Sequence, residues 1–149
     1  MSKPDTSAAP SFEPTAETAT QALLLAQLCF NKAGLVPAIV QDAVTNEMLM
    51  MAWMDKAAFL RTLETGKACF YSRSRKAAWM KGESSGHLQI VREVLIDCDG
   101  DAVLLKVDQI GGIACHTGRR HCFFRKLENG TWVTQFEPTK SEKEMYGER

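Results

Sequence analysis

The chain has 149 residues, 45% of them apolar and 24% charged, and eighteen basic side chains balance eighteen acidic ones. That is about one domain with enough apolar material for a core, and a zero net charge argues against a general nucleic-acid or anionic-membrane binder, though not against a local basic patch. No apolar run approaches the roughly 18–20 residues that cross a bilayer, and the most apolar stretch, Ala22–Phe30, lies behind Asp5, Glu13 and Glu17, the wrong flank for a secretory signal, so the expected location is cytoplasmic.

Residues 1–20 carry three of the five prolines among Ser, Thr, Ala and Glu and predict a weakly ordered extension. A helix is expected over Glu17–Lys32, with Leu24, Leu25, Leu28 and Cys29 on one face and Gly34 as its C-cap. Leu35–Gln41 and Glu47–Trp53 read as short strands, Pro37 favouring the start or an edge of the first. Asp55 is placed to cap a helix over Lys56–Thr65 that closes at Gly66, and Ala68–Ser72 is another strand. Arg73–Gly86 has no clean period and two glycines, which predicts a long functional loop. His87–Asp99 and Ala102–Gln109 predict a hairpin about Asp99–Gly100, and His121–Leu127 with Thr131–Phe136 a second one about Asn129–Gly130. The charged tail from Glu137 is expected to fray. These elements make an α+β fold, a mainly antiparallel β domain with two short helices over residues 21–137, with a tail at 138–149; an irregular β-barrel fits the same strands.

Three constellations carry possible chemistry. The run Asp97-Cys98-Asp99-Gly100-Asp101 puts Asp97 and Asp99 on one face of a strand and Cys98 on the other. Carboxylates that converge repel unless a cation sits among them, and oxygen ligands suit a hard ion such as Mg²⁺ or Ca²⁺; a solvated acidic turn is the plainer reading. A calcium-binding helix–loop–helix fails in detail, because its sixth position is Ala102 where glycine is needed.

Five cysteines are an odd number and poor material for a disulfide framework in a reducing compartment. Cys98, Cys115 and Cys122 could hold Zn²⁺ and leave a fourth position open, the mark of a catalytic site, although their spacing matches no zinc finger and simple burial explains them as well. His116 and His121 adjoin the last two, as a further ligand or a proton shuttle. The third constellation runs from Ser72 to His87 and combines Arg73, Ser74, Arg75, Trp79, Lys81, Ser84 and Ser85. Guanidinium and hydroxyl groups suit phosphate oxygens, and an indole offers a face to a planar base, so a phosphorylated nucleotide is the natural ligand; a solvated basic loop and a nucleic-acid strand are the alternatives. Arg119 and Arg120 form a second basic cluster for a second phosphate.

The runs Tyr71-Ser72-Arg73-Ser74-Arg75, Trp79-x-Lys81-Gly82-Glu83-Ser84-Ser85-Gly86-His87, Asp97-Cys98-Asp99-x-Asp101 and Ala114-Cys115-His116-Thr117-Gly118-Arg119-x-x-Cys122-Phe123 resemble the phosphoribosyl-AMP cyclohydrolases, as does Leu35–Asp42. The resemblance spans about residues 34–125. It implies a homodimeric, intertwined enzyme of histidine biosynthesis with its sites at the subunit interface. It also implies ring opening of the substrate's adenine between N1 and C6. Cys98, Cys115 and Cys122 resemble zinc ligands, and Asp97, Asp99 and Asp101 magnesium ligands. His116 or His87 is expected to transfer the proton, Arg73, Arg75, Lys81 and Arg119 to hold phosphate, and Trp79 to wall the base. Some relatives continue into a pyrophosphohydrolase domain; this chain, ending at Arg149, is expected to be monofunctional. His121 stands where relatives often have a small polar residue, and the N-terminal extension has no counterpart. A zinc-stabilised nucleotide-binding module without catalysis and a small structural protein are the competing readings.

Overall fold

The structure, a computed structural model, describes residues 18–147. The expected extension up to Glu17, and with it the predicted start of the first helix, lies outside the described residues. That helix, α1, covers only Ala19–Ala26, not the stretch to Lys32. It begins at a capping box in which Thr18 Oγ1 accepts from Gln21 N–H and Gln21 Oε1 accepts from Thr18 N–H. It stops early because the following backbone is claimed elsewhere. Cys29 N–H donates to the Gly100 carbonyl at 2.7 Å, and Asn31 Oδ1 accepts from both Ala33 and Leu35 N–H. Gly34 therefore turns the chain inside that loop instead of capping a helix.

The six-stranded sheet is built from β1 (Val36–Asp42), β2 (Met48–Met54), β3 (Cys69–Ser72), β4 (Ala77–Met80), β5 (Gln89–Ile96) and β6 (Val103–Gln109), in the order β4-β3-β2-β1-β6-β5. The expectation was a mainly antiparallel domain; the sheet is mixed, because β1 and β6 run parallel while its other neighbouring strands run antiparallel. Pro37 sits in a central strand, yet its missing N–H breaks no bond to β6, since that pairing begins only at Ala38. The sheet curls, so that Lys67, just ahead of β3, bridges Ile90 on β5. Along β1 and β6 alternate residues (Val36, Ala38, Val40; Val103, Leu105, Val107) are buried and form the core with Leu49, Met54 and Phe70. Helix α2 (Lys56–Thr65) covers this face with Ala58, Phe59 and Leu60. It is bounded as expected, with Asp55 Oδ1 accepting from Ala58 N–H and Gly66 left-handed at the C-cap.

Two further elements differ from expectation. The predicted loop 73–86 contains β4, which folds back on β3 through Lys76 at φ +50° and sets Trp79 against Phe70 with ring centroids 5.0 Å apart. That aromatic contact supplies the order the sequence period does not. Within the described residues the tail is folded where fraying was expected: Ser141 begins a third helix, α3 (Glu142–Tyr146), with its own capping box, and Met145 is buried. The second hairpin, β7 (Arg125–Glu128) and β8 (Thr131–Thr134), forms a separate sheet about Asn129 and Gly130, both at positive φ. No helix among the described residues is long and apolar enough to cross a membrane.

Candidate active site

After β6, Gly111 and Gly112 turn the chain into a loop held in shape by its own backbone. Ala114 N–H donates to the Arg120 carbonyl, Cys115 N–H to that of Arg119, and Gly118 N–H to that of Cys115; Cys122 N–H then donates to the Leu49 carbonyl on β2. The loop's backbone thus brings Cys115 and Cys122 together. Their side chains share a hydrogen bond that drops the Cys115 thiol to about 5, with Thr117 Oγ1 also donating to its sulfur at 3.1 Å, and raises Cys122 well above the ordinary thiol range. One proton is thus held between two sulfurs. A soft divalent cation fits in that proton's place, because thiolate is the donor such ions prefer.

Cys122 and His116 open on a cleft of about 480 Å³, whose wall also includes Arg75, Trp79, Lys81, Ser84 and Ser85. Burial pulls the Lys81 ammonium below its ordinary range while the two sulfurs oppose the shift. A second cleft, of about 620 Å³, shares Arg75, Trp79 and Ala52 with the first and adds Arg73 and Ser74. Its floor is ordered by the β3–β4 turn: Ser72 Oγ accepts from Arg75 N–H at 3.2 Å, and the Arg73 guanidinium lies 4.9 Å from the centre of the Trp53 ring. The two basic clefts therefore meet at one guanidinium and one indole, an arrangement suited to a planar base with an anionic group on either side.

Asp97, Asp99 and Asp101 also converge, with ligand oxygens within 4.8 Å of one another. The cause differs from the expected one, since β5 ends at Ile96 and the carboxylates meet through a turn. Asp97 Oδ1 accepts from Asp101 and Ala102 N–H, which folds the chain back at Gly100. Hydrogen bonds to Asp97 and Asp99 push the Asp101 carboxyl up to about 6, the mark of carboxylates crowded where a hard cation fits.

Several sequence-derived residues stand elsewhere. The three carboxylates are the only group of three or more His, Cys, Asp or Glu side chains that meet this closely among the described residues, so Cys98 does not join Cys115 and Cys122 within one chain. It is exposed beside Asp99. His87 is only 7% exposed, with its Nδ1 unpartnered, and lines neither cleft. Gly111 presses on its ring, since a Cβ there would come within 2.5 Å of Cδ2. Arg119 also lines neither cleft: it stacks 3.9 Å from the centre of the Phe124 ring and donates from Nε to the Phe136 carbonyl. His121 accepts from Phe123 N–H and packs edge-on against Phe136. Sequence reasoning missed Glu142 and Tyr146, which reach the cleft from α3; Ser141 with Glu144 was the capping signal that could have found that helix.

The family profile described as phosphoribosyl-AMP cyclohydrolase matches residues 50–124. Proteins of that name are similar over most of the chain. The one from Nitrosospira multiformis is 53% identical over 116 residues, covering 78% of this chain and 89% of its own length. The one from Neisseria gonorrhoeae is 54% identical over 124 residues, 83% of this chain and 95% of its own. The one from Burkholderia vietnamiensis is 50% identical over 136 residues, 89% and 99% respectively.

Proposed function

The chain belongs to the phosphoribosyl-AMP cyclohydrolase family, and from that premise we propose that it opens the adenine ring of phosphoribosyl-AMP with water, between N1 and C6, in histidine biosynthesis. The observation that carries the reading is the meeting of Cys122, His116 and Lys81 with Arg75 and Trp79 around one cleft. Cys115 and Cys122, with Cys98 of a second subunit, would hold Zn²⁺, which supplies the Lewis acidity that makes water an effective nucleophile at neutral pH. His116 moves the proton: the water oxygen joins C6, the C6–N1 bond breaks, and a proton from the water ends on N1 while the exocyclic nitrogen stays on C6 as an amide. Trp79 walls the base. Arg73, Ser74 and Arg75 take one phosphate, and Lys81, Ser84 and Ser85 the other. Asp97, Asp99 and Asp101 would hold Mg²⁺, whose charge offsets that of a substrate phosphate.

A homodimer follows from the divided cysteine set. Exposed Val94, Leu95 and Ile96 lead into the turn that carries Cys98, and exposed Phe123, Leu127, Trp132 and Val133 follow Cys122. Apolar surface thus flanks both halves of the set, and a lone two-stranded hairpin is marginal in water unless something covers it. The same pairing carries the acidic turn toward the cleft along with Cys98. Unpaired thiols suit a reducing cytoplasm.

The test is turnover. Metal-replete protein with Mg²⁺ and phosphoribosyl-AMP should change the ultraviolet absorbance of the purine as the ring opens. Cys115→Ser should lose both bound zinc and turnover. A metal-replete protein that binds the nucleotide without turnover would instead be a binding module.

A further inference from the structure

The C-terminal segment is bound to the loop that carries the cysteine pair, at one residue after another. Gln135 N–H donates to the Phe124 carbonyl at 2.8 Å. Phe136 is enclosed by Arg120, His121 and Phe124, and its carbonyl accepts from Arg119. The Gly118 carbonyl takes Thr139 N–H at 2.9 Å and Thr139 Oγ1 at 3.0 Å. Gly118 itself, at φ +85°, has no room for a side chain, since a Cβ would stand 1.8 Å from the Lys140 oxygen. The segment then turns at Ser141 into α3, where Glu142, Met145 and Tyr146 share a side through their three- and four-residue spacing. Met145 is the buried anchor, and Glu142 and Tyr146 beside it line the 480 Å³ cleft together with Lys81, Ser84 and Ser85.

A carboxylate in that position needs an account, because the cleft carries Arg75 and Lys81 and the nucleotide it is read to bind has two phosphates. Glu142 cannot face a phosphate without repulsion. The cleft's other carboxylate, Glu83, is committed to its own loop, with Oε2 accepting from Met80 N–H. The part of a nucleotide that offers a carboxylate two neutral donors is the ribose diol, and a carboxylate on a ribose hydroxyl is a recurring solution in nucleotide sites. We propose that the C-terminal strap, residues 135–146, is the sugar-recognising wall of the active site, with Glu142 accepting hydrogen bonds from a ribose diol of the substrate and Tyr146 closing the wall beside it. This rests on the cyclohydrolase reading and names a part of that site which the family profile, ending at residue 124, does not cover.

The test uses the metal-replete full chain and Glu142→Ala, an exposed position whose loss leaves the core intact. KM for phosphoribosyl-AMP should rise about tenfold or more with kcat within about twofold, the scale of a lost hydrogen bond to a charged group. Direct binding of fragments separates the two riboses. AMP against 2′,3′-dideoxy-AMP probes the nucleoside sugar, and ribose 5-phosphate against 2,3-dideoxyribose 5-phosphate probes the one on N1. For one pair the wild type should prefer the diol and Glu142→Ala should lose that preference. An unchanged KM, a loss confined to kcat, or a diol preference that survives in the variant would overturn the proposal. Because the fragment arms need no turnover, they report on Glu142 even if the wild type proved inactive, a result that would count against the cyclohydrolase reading alone.

Discussion

Cys115 and Cys122 are separated by six intervening residues, a loop whose backbone bonds, not its spacing, make the two sulfurs neighbours. This is why the spacing alone matched no zinc finger. Asp97, Asp99 and Asp101 were legible as a cluster because any tight turn through a glycine gathers alternate residues, whichever turn it is. His87 shows the opposite case. Its position between Gly86 and a strand said nothing of the glycine that presses on its ring, and burial together with the charges of Lys140 and Lys81 holds its imidazole below the ordinary 6.5. A histidine of this kind binds its proton more readily when the chain is unfolded, so stability falls as the pH drops below about 6.5 and stops falling below the folded value. The midpoint of urea unfolding should therefore drop between pH 7 and pH 5, and the drop should be smaller in His87→Gln. An equal drop in both proteins would show that other groups carry it.

Among the elements, α2 was readable from end to end because both of its caps are local: Asp55 and Gly66 lie within the helix's own sequence. What was illegible depends on distant partners. α1 is cut short by the Gly100 carbonyl, seventy residues further along the chain. β4 owes its order to Phe70 across a turn, and the parallel pairing of β1 with β6 brings together strands with β2, α2, β3, β4 and β5 between them in the chain. The strap belongs to this class too, because its charged composition suggests solvent exposure while Gly118 and Arg119 hold it down. Gly118→Ala should cost about 1–3 kcal/mol, from the strained backbone and the clash with Lys140. Thermal unfolding would show this as a midpoint several degrees lower, and limited proteolysis should cut first near Lys140. An unchanged midpoint and cleavage pattern would mean the strap is not anchored there.

At the scale of the molecule, one chain contains two joined basic clefts, a pair of sulfurs at their edge and a separate carboxylate turn that carries the third cysteine. The proposed zinc set calls for a second copy to complete it, and the exposed apolar residues along the end of β5 and on the β7–β8 hairpin are where that copy would bind. In a symmetric dimer each site would take Cys98 from one subunit and Cys115 and Cys122 from the other. The most direct measurement mixes two inactive variants, Cys98→Ser and Cys115→Ser, after unfolding and refolding them together with zinc. A mixed dimer then holds one intact site, so random pairing should restore about a quarter of wild-type turnover, with zinc recovered in proportion. Mixed dimers that form and remain inactive, or a Cys98→Ser protein that is fully active by itself, would contradict a site shared between subunits.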